Sequence, residues 1–206
     1  VARGPPLTRL WHPFTQLRGF EPLGEVTGAE GPWLHLADGR SVLDGISSWW
    51  VNLHGHAHPA IQAAIAAQAA RFDQVILADF THAPAQELTR RLGALAPPGV
   101  HHVFFSDDGS TAVEVALKMA WQAVRAVDPA RDQLVAFEGS YHGDTLFAMS
   151  VGARDVFTEH FRTLLRDVVF LPWNDPDAAE AWLAAHGDRV VAVVLEPMVQ
   201  CAGGMR

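Results

Sequence analysis

The sequence predicts an α/β fold: a mainly parallel sheet flanked by helices, preceded by an N-terminal strand-containing segment. Three observations carry this. From Pro59 onward, short apolar runs alternate with helical patterns, the signature of strands joined by helical crossovers. "RVVAVVLEP", residues 189–197, is apolar without alternation, as in a strand covered on both faces. Residues 23–45 behave differently and read as short strands joined by turns.

Residues 1–22, rich in Pro and Gly, are expected to wrap over a larger body. In "LGEVTGAEGPWLHLADGRSVLDG" the "ADGR" stretch is a hairpin signal, with Asp38-Gly39 suited to positive φ. "PAIQAAIAAQAARF" is an alanine-rich helix with Pro59 in its first turn. "PAQELTRRLGALAP" is a second, with Leu88, Leu92 and Leu95 on one face. "HHVFFS", 101–106, is expected as a strand, followed by a helix, "STAVEVALKMAWQAVRAV", ended by Asp128-Pro129. On that helix Val113, Leu117, Ala120 and Val124 form the buried face, while Glu114 stands at i, i+4 from Lys118. "QLVAFE" and "VVFLPW" are strands, and "PDAAEAWLAAHG" is a helix.

The 206 residues suffice for one sizeable domain or parts of two, and 49% hydrophobic with 18% charged residues suits a soluble protein with a core. A formal charge of -8 without a basic run argues against nucleic acid. No apolar run is long enough for a bilayer, and "VARGPPLTRLWHPF" has no apolar core of a signal peptide. The single cysteine, Cys201, allows no internal disulfide and suits a reducing cytoplasm.

Four stretches could carry chemistry. "FFSDDGSTAVEVALKMA" runs from strand through a tight turn into a helix. The N–H groups of Gly109, Ser110 and Thr111 would point out of its N-terminus toward a phosphate. Plain capping, through Thr111 and Glu114 as a capping box, explains the same residues. Asp107 and Asp108 should turn away from an anion. Neither a P-loop nor a dinucleotide turn is present.

"EGSYHGDT", 138–145, follows a strand end and holds the only tyrosine, Tyr141, which could stack on a flat heteroaromatic ring or simply be a half-buried loop aromatic. Ser140, His142 and Asp144 do not form a hydrolase motif, since neighbours rarely converge as a triad. His54, His56 and His58 alternate as metal ligands on a strand would, but Gly55 and Pro59 interrupt a strand and no acidic residue is near in sequence; no metal is expected. "GISSWWVNLHGHAHP", 45–59, sets Trp49 beside Trp50. In a half-buried strand one would fill a core, and the other would face a subunit interface or a ligand. Glu196, before Pro197, is either a site residue at a strand end or its polar terminus.

Taken together, "WHPFTQ", "LDGISSWWVNLHGHAHP", "THAPAQEL", "DDGSTAVEVALKMA", "YHGDT" and "EPMVQCAGGM" resemble, in this order, the class III aminotransferases. These use pyridoxal 5'-phosphate on the type I aminotransferase fold. The tryptophan pair and "WHPFT" resemble most the branch that serves biotin biosynthesis. The resemblance covers essentially the whole chain and corresponds to the N-terminal half of such an enzyme, hence an incomplete fold. It implies residues 1–48 as part of the small domain and 49–206 as the first part of the large cofactor-binding domain.

The resemblance also implies Gly109, Ser110 and Tyr141 as cofactor-binding residues, and Trp49, Trp50, Tyr141 and Phe14 as substrate-binding residues. Phe14 stands where the family often has tyrosine, which removes one hydrogen bond; Asp108 stands where serine is common and Cys201 where glycine is common. The implied reaction moves an amino group from S-adenosylmethionine, the donor in most members, to 8-amino-7-oxononanoate, in a cytoplasmic homodimer. The family's Schiff-base lysine is expected beyond Arg206. Lys118, the only lysine, lies eight residues past Ser110, roughly 12 Å along a helix, on a polar stripe. No catalytic residue is therefore expected within the chain. The remaining readings are another class III aminotransferase with a different amine or oxo-acid substrate, and a non-catalytic phosphate-ligand-binding subunit.

Overall fold

Residues 10–200 and 205 are described by the structure, a computed structural model. Cys201 and the glycine pair after it lie outside the described residues. The chain divides into two compact units, Val1–Gln86 and Glu87–Arg206, each built on its own sheet.

The first unit carries an antiparallel meander of β1 (Val26–Glu30), β2 (Trp33–Leu36) and β3 (Ser41–Leu43). The β2–β3 hairpin closes through the Leu36 N–H donating to Arg40 C=O at 2.9 Å, with Gly39 N–H donating back to Leu36 C=O at 3.0 Å. Gly39 alone takes positive φ there, at 88°, the left-handed third position of a three-residue loop; Asp38 does not. Past β3 the backbone makes one two-bond bridge back to the meander, between Gly31 and His56. Helix α2 (Pro59–Ala69) starts on Pro59, whose missing N–H is no loss in a first turn.

The tryptophan pair does not lie on a strand. Ser47–Trp50 forms a single turn, α1, whose residues have φ of 50°, 47°, 59° and 70°. Left-handed φ costs a residue with a Cβ roughly 1–2 kcal/mol, so this turn needs contacts beyond its own backbone bonds, Trp50 N–H to Ile46 C=O and Val51 N–H to Ser47 C=O, to hold it. Alternation of faces therefore does not apply: Trp49 and Trp50 are both exposed, at 57% and 59%.

Helix α3 (Ala83–Leu95) spans the division between the units, and its Leu88, Leu92 and Leu95 are all exposed. The second unit centres on a parallel sheet of order β5 (Val169–Leu171), β4 (Gln133–Phe137), β6 (Val190–Val193). Alternation along β4 sends Leu134 and Ala136 to one face and Val135 and Phe137 to the other. Leu134 and Ala136 pack with Leu117 of α4 (Gly109–Val127), Val151 of α5 (Leu146–Val151) and Val191. Val113, Ala120 and Val124 join them, so the apolar stripe expected on α4 is the buried one. On the opposite face Val135, Leu171 and Val190 meet Ala179, Trp182 and Leu183 of α6 (Pro176–His186).

One expected strand is absent. Residues 101–106 join no sheet, and Phe104 and Phe105 stay 63% and 38% exposed. A strand exists only through a ladder, both sides of β4 are taken by β5 and β6, and 101–106 bond to no strand among the described residues.

Leu134, with no exposed surface, is enclosed by both sheet neighbours and α4. Leu134→Ala is expected to lower unfolding free energy by about 2–5 kcal/mol in urea titrations, whereas Leu95→Ala, at an 83% exposed position, should change it little.

Candidate functional site

Helix α4 begins with a complete capping box, formed by different residues from those expected. The Asp108 carboxylate accepts the Thr111 N–H at 2.8 Å, and the Thr111 hydroxyl oxygen accepts the Asp108 N–H at 3.1 Å. Thr111 N–H is thus not available to a ligand, because a carboxylate one turn back outcompetes water for it. Asp108 also turns into the helix end rather than away. Among the described residues, the N–H groups of Gly109 and Ser110 have no acceptor. The space above Gly109 is open, since a Cβ there would meet no atom within 4 Å.

The expected partner of Thr111, Glu114, points elsewhere. One of its oxygens accepts the Thr145 hydroxyl at 2.6 Å and the N–H groups of Phe147 and Ala148 at 2.8 and 3.1 Å. Glu114 caps α5 from a different helix, where the dipole of the first turn favours a negative charge. It makes no ion pair with Lys118, which is exposed on α4.

This cap draws the loop after β4 onto the start of α4. Asp144 N–H donates to the Ser110 hydroxyl oxygen at 3.1 Å, which leaves the Ser110 hydroxyl proton free to donate. Gly143, at φ 119°, lies against the same turn; a Cβ on it would stand 2.8 Å from Ser110 Cα. Within the loop, Tyr141 is half-buried, its hydroxyl donates to Asp144 at 2.7 Å, and its N–H donates to Glu196 at 2.7 Å. The other Glu196 oxygen accepts Gln200 N–H at 3.2 Å. Because β4 and β6 are parallel neighbours, their carboxyl ends coincide, and Glu196 ties together the loops that leave them. Such strand ends are where open α/β sheets bind ligands.

Ser140 is 1% exposed, and its hydroxyl donates to Phe137 C=O at 2.7 Å, so it is no nucleophile. His142 has a buried Nε2 without a partner. Burial pushes its imidazole below the ordinary value of 6.5, while the Glu196 charge pulls the other way.

In the first unit, the Phe14 and Trp49 rings meet edge to face at 5.3 Å. Their turn is anchored on Asp44, whose carboxylate accepts the Ser48 N–H at 2.9 Å and the Ser48 hydroxyl at 2.7 Å and contacts His56 Nε2 at 2.8 Å. These partners, Ser48 N–H foremost, hold the Asp44 carboxyl down to about 2. The alternating histidines do not act as a set: His56 turns to Asp44, while the His54 and His58 rings meet each other at 5.9 Å. The acid missing near them in sequence is supplied by the fold.

Comparison with known proteins places the chain in a class. The model of the class III aminotransferase family matches residues 18–206, and the chain belongs to that family. A Synechococcus elongatus protein named adenosylmethionine-8-amino-7-oxononanoate aminotransferase is 52% identical over 96% of this chain and 50% of its own length. The crystal structure of the Methanocaldococcus jannaschii protein of the same name superimposes with TM-score 0.83 at 33% identity, over 90% of this chain and 44% of that one. A PLP-bound amine transaminase from an uncultivated Pseudomonas species gives 0.78 at 27% identity, over 93% and 49% of the two chains. The chain thus has the type I aminotransferase fold in part and spans about half the length of the curated relatives it matches.

The arrangement in the second unit fits the phosphate of such a cofactor: two free N–H groups, a hydroxyl with a proton to give, and open room above Gly109. It offers no amine, since the sole lysine is exposed farther along α4.

His142 generates a pH prediction. Its folded pKa lies below the ordinary 6.5 because the charged form is disfavoured by burial. Its contribution to stability is complete above that value and declines as pH falls through 6.5 toward the folded pKa, as the unfolded chain takes up the proton first. Urea titrations between pH 7.5 and 5, values chosen to bracket the ordinary pKa, are expected to show a loss on acidification that is smaller in His142→Gln.

Proposed function

We propose that the chain supplies the phosphate-binding and ring-binding part of a pyridoxal-phosphate-dependent aminotransferase that converts 8-amino-7-oxononanoate to 7,8-diaminononanoate in biotin biosynthesis. The observation that carries the reading is the 52% identity, over 96% of the chain, to a protein of that name. S-Adenosylmethionine is the proposed amino donor, and the enzyme is proposed to be a cytoplasmic homodimer. No helix among the described residues is long and apolar enough to cross a membrane. Residues 1–48 are assigned to the small domain and 49–206 to the large one.

In this reading Gly109 and Ser110 donate backbone N–H groups to the cofactor phosphate, and the Ser110 hydroxyl donates a further bond. Tyr141 packs its ring on the cofactor, with Asp144 and Glu196 fixing the hydroxyl and N–H ends of that residue. Pyridoxal phosphate, when bound, supplies the electron sink through which an amino group is exchanged. Trp49, Trp50 and Phe14 form an apolar wall, suited to a substrate whose methylene chain has little to hydrogen-bond. Trp49 and Phe14 already pack together. The lysine that holds the cofactor covalently is assigned to sequence following Arg206, because Lys118 is an exposed helix residue.

The test is borohydride reduction with pyridoxal phosphate, followed by mapping of the labelled residues. Residues 1–206 are expected to show only scattered or N-terminal labelling and no half-reaction with an amino donor. A longer protein that contains this chain and spans the full length of its relatives is expected to carry one labelled lysine outside residues 1–206 and to aminate 8-amino-7-oxononanoate. Saturable labelling of Lys118 that substrate competes away overturns the assignment. Amination of a different oxo-acid only moves the protein to another branch of the family.

A further inference from the structure

The left-handed turn α1 is costly and yet buries almost nothing. Its residues take positive φ in succession, and the apolar side chains from Ile46 to Val51 are 57–77% exposed. Strain of this kind persists only where surrounding contacts over-determine it. Core packing does not hold it, so the hydrogen bonds must.

Beside the backbone bonds of the turn itself, Trp50 N–H to Ile46 C=O and Val51 N–H to Ser47 C=O, the side-chain bonds converge on Asp44. Its side chain is only 6% exposed, and it gathers both groups of Ser48, in the middle of the turn, together with the His56 ring. Only a carboxylate presents two acceptor oxygens to this set of donors. His56 is itself immobilised, because its N–H donates to Gly31 C=O at 2.7 Å and its C=O accepts the Gly31 N–H at 3.1 Å. Gly55 permits that bridge: it has φ 78°, and a Cβ on it would stand 2.9 Å from Gly31 Cα. The chain of contacts runs from the β-meander through Gly31 and His56 to Asp44, and from Asp44 to the turn that presents the tryptophans.

We propose that Asp44, braced by His56, is a positioning residue for substrate: it locks α1 in the left-handed turn that presents Trp49 and Trp50 as a preformed wall. The proposal rests on the reading of those tryptophans as substrate contacts. A preformed wall loses less conformational freedom on binding, so removing the lock weakens substrate binding while leaving chemistry at the cofactor alone.

The test uses the complete protein carrying Asp44→Ala or Asp44→Asn. Asp44→Ala is expected to raise KM for 8-amino-7-oxononanoate about tenfold or more with kcat within about threefold, the mark of lost binding rather than lost chemistry. Asp44→Asn, which keeps one oxygen for Ser48, should fall between it and wild type. In a Trp49→Ala/Trp50→Ala background, Asp44→Ala should change KM by less than about twofold, since residues acting through one another are not additive. Additive effects, or a fall in kcat with KM unchanged, overturn the proposal.

Hydrogen exchange of the Trp50 and Val51 amides, which bond to Ile46 and Ser47 C=O at 3.0 Å, reads the lock without substrate. Protection lost in Asp44→Ala supports the proposal, and protection retained overturns it. If wild-type protein does not turn over this substrate, the assigned reaction fails, and the exchange result alone decides the role of Asp44. If Asp44→Ala does not fold, His56→Gln and Ser48→Ala carry the same two readouts.

Discussion

Strand β4 is covered on every side. Leu134, Val135 and Ala136 have no exposed surface, β5 and β6 occupy both its edges, and helices lie on both its faces. A strand so enclosed is apolar from residue 134 to 137, with Gln133 at its start, and leaves its polar work to the residues past its end. The chain changes character at that point: Phe137 is followed by Glu138, Gly139, Ser140 and Tyr141. Because β6 runs parallel to β4, the second strand end arrives beside the first, and Glu196 is delivered to the Tyr141 N–H. The placement of the Tyr141 loop follows from the packing of the sheet.

Carboxylates in this molecule act more as caps for backbone N–H groups than as members of ion pairs. Asp108 closes the start of α4, Glu114 closes α5, Glu196 joins the loops beyond β4 and β6, and Asp44 holds the turn of the tryptophans. Charge-assisted bonds of this kind are roughly twice as strong as neutral ones and fix geometry in direction as well as distance. Exposed pairs such as Arg40–Asp38 are screened by water and contribute little. Three bonds to one Glu114 oxygen tie the start of α5 to α4.

The turn before α4 shows that capping need not use up a helix start. Capping and anion binding are alternative readings of "DDGSTAVE"; the capping is present, through Asp108 and Thr111. Asp108 consumes the Thr111 donor, while Gly109 and Ser110 keep theirs. A helix start has more donors than one cap can satisfy, so a capped terminus can still receive a phosphate.

The sequence by itself determined the class of fold, most of the helices and strands from Pro59 onward, with 101–106 and the short helix α5 as exceptions, and the buried stripe of α4. These follow from local periodicity and from the punctuation of Pro and Gly. The motifs from "WHPFTQ" to "EPMVQ" also pointed to the family that the comparisons establish. Only the tertiary structure decided that 101–106 join no sheet, that Glu114 serves α5 instead of Thr111 or Lys118, and that the tryptophan pair sits on a left-handed turn held by Asp44 and His56. In each case the deciding partner lies far along the chain: twelve residues separate Asp44 from His56, and more than thirty separate Glu114 from Phe147. Local spacing registers what a residue can bond to within a turn or two, and these residues bond to what the fold brings near.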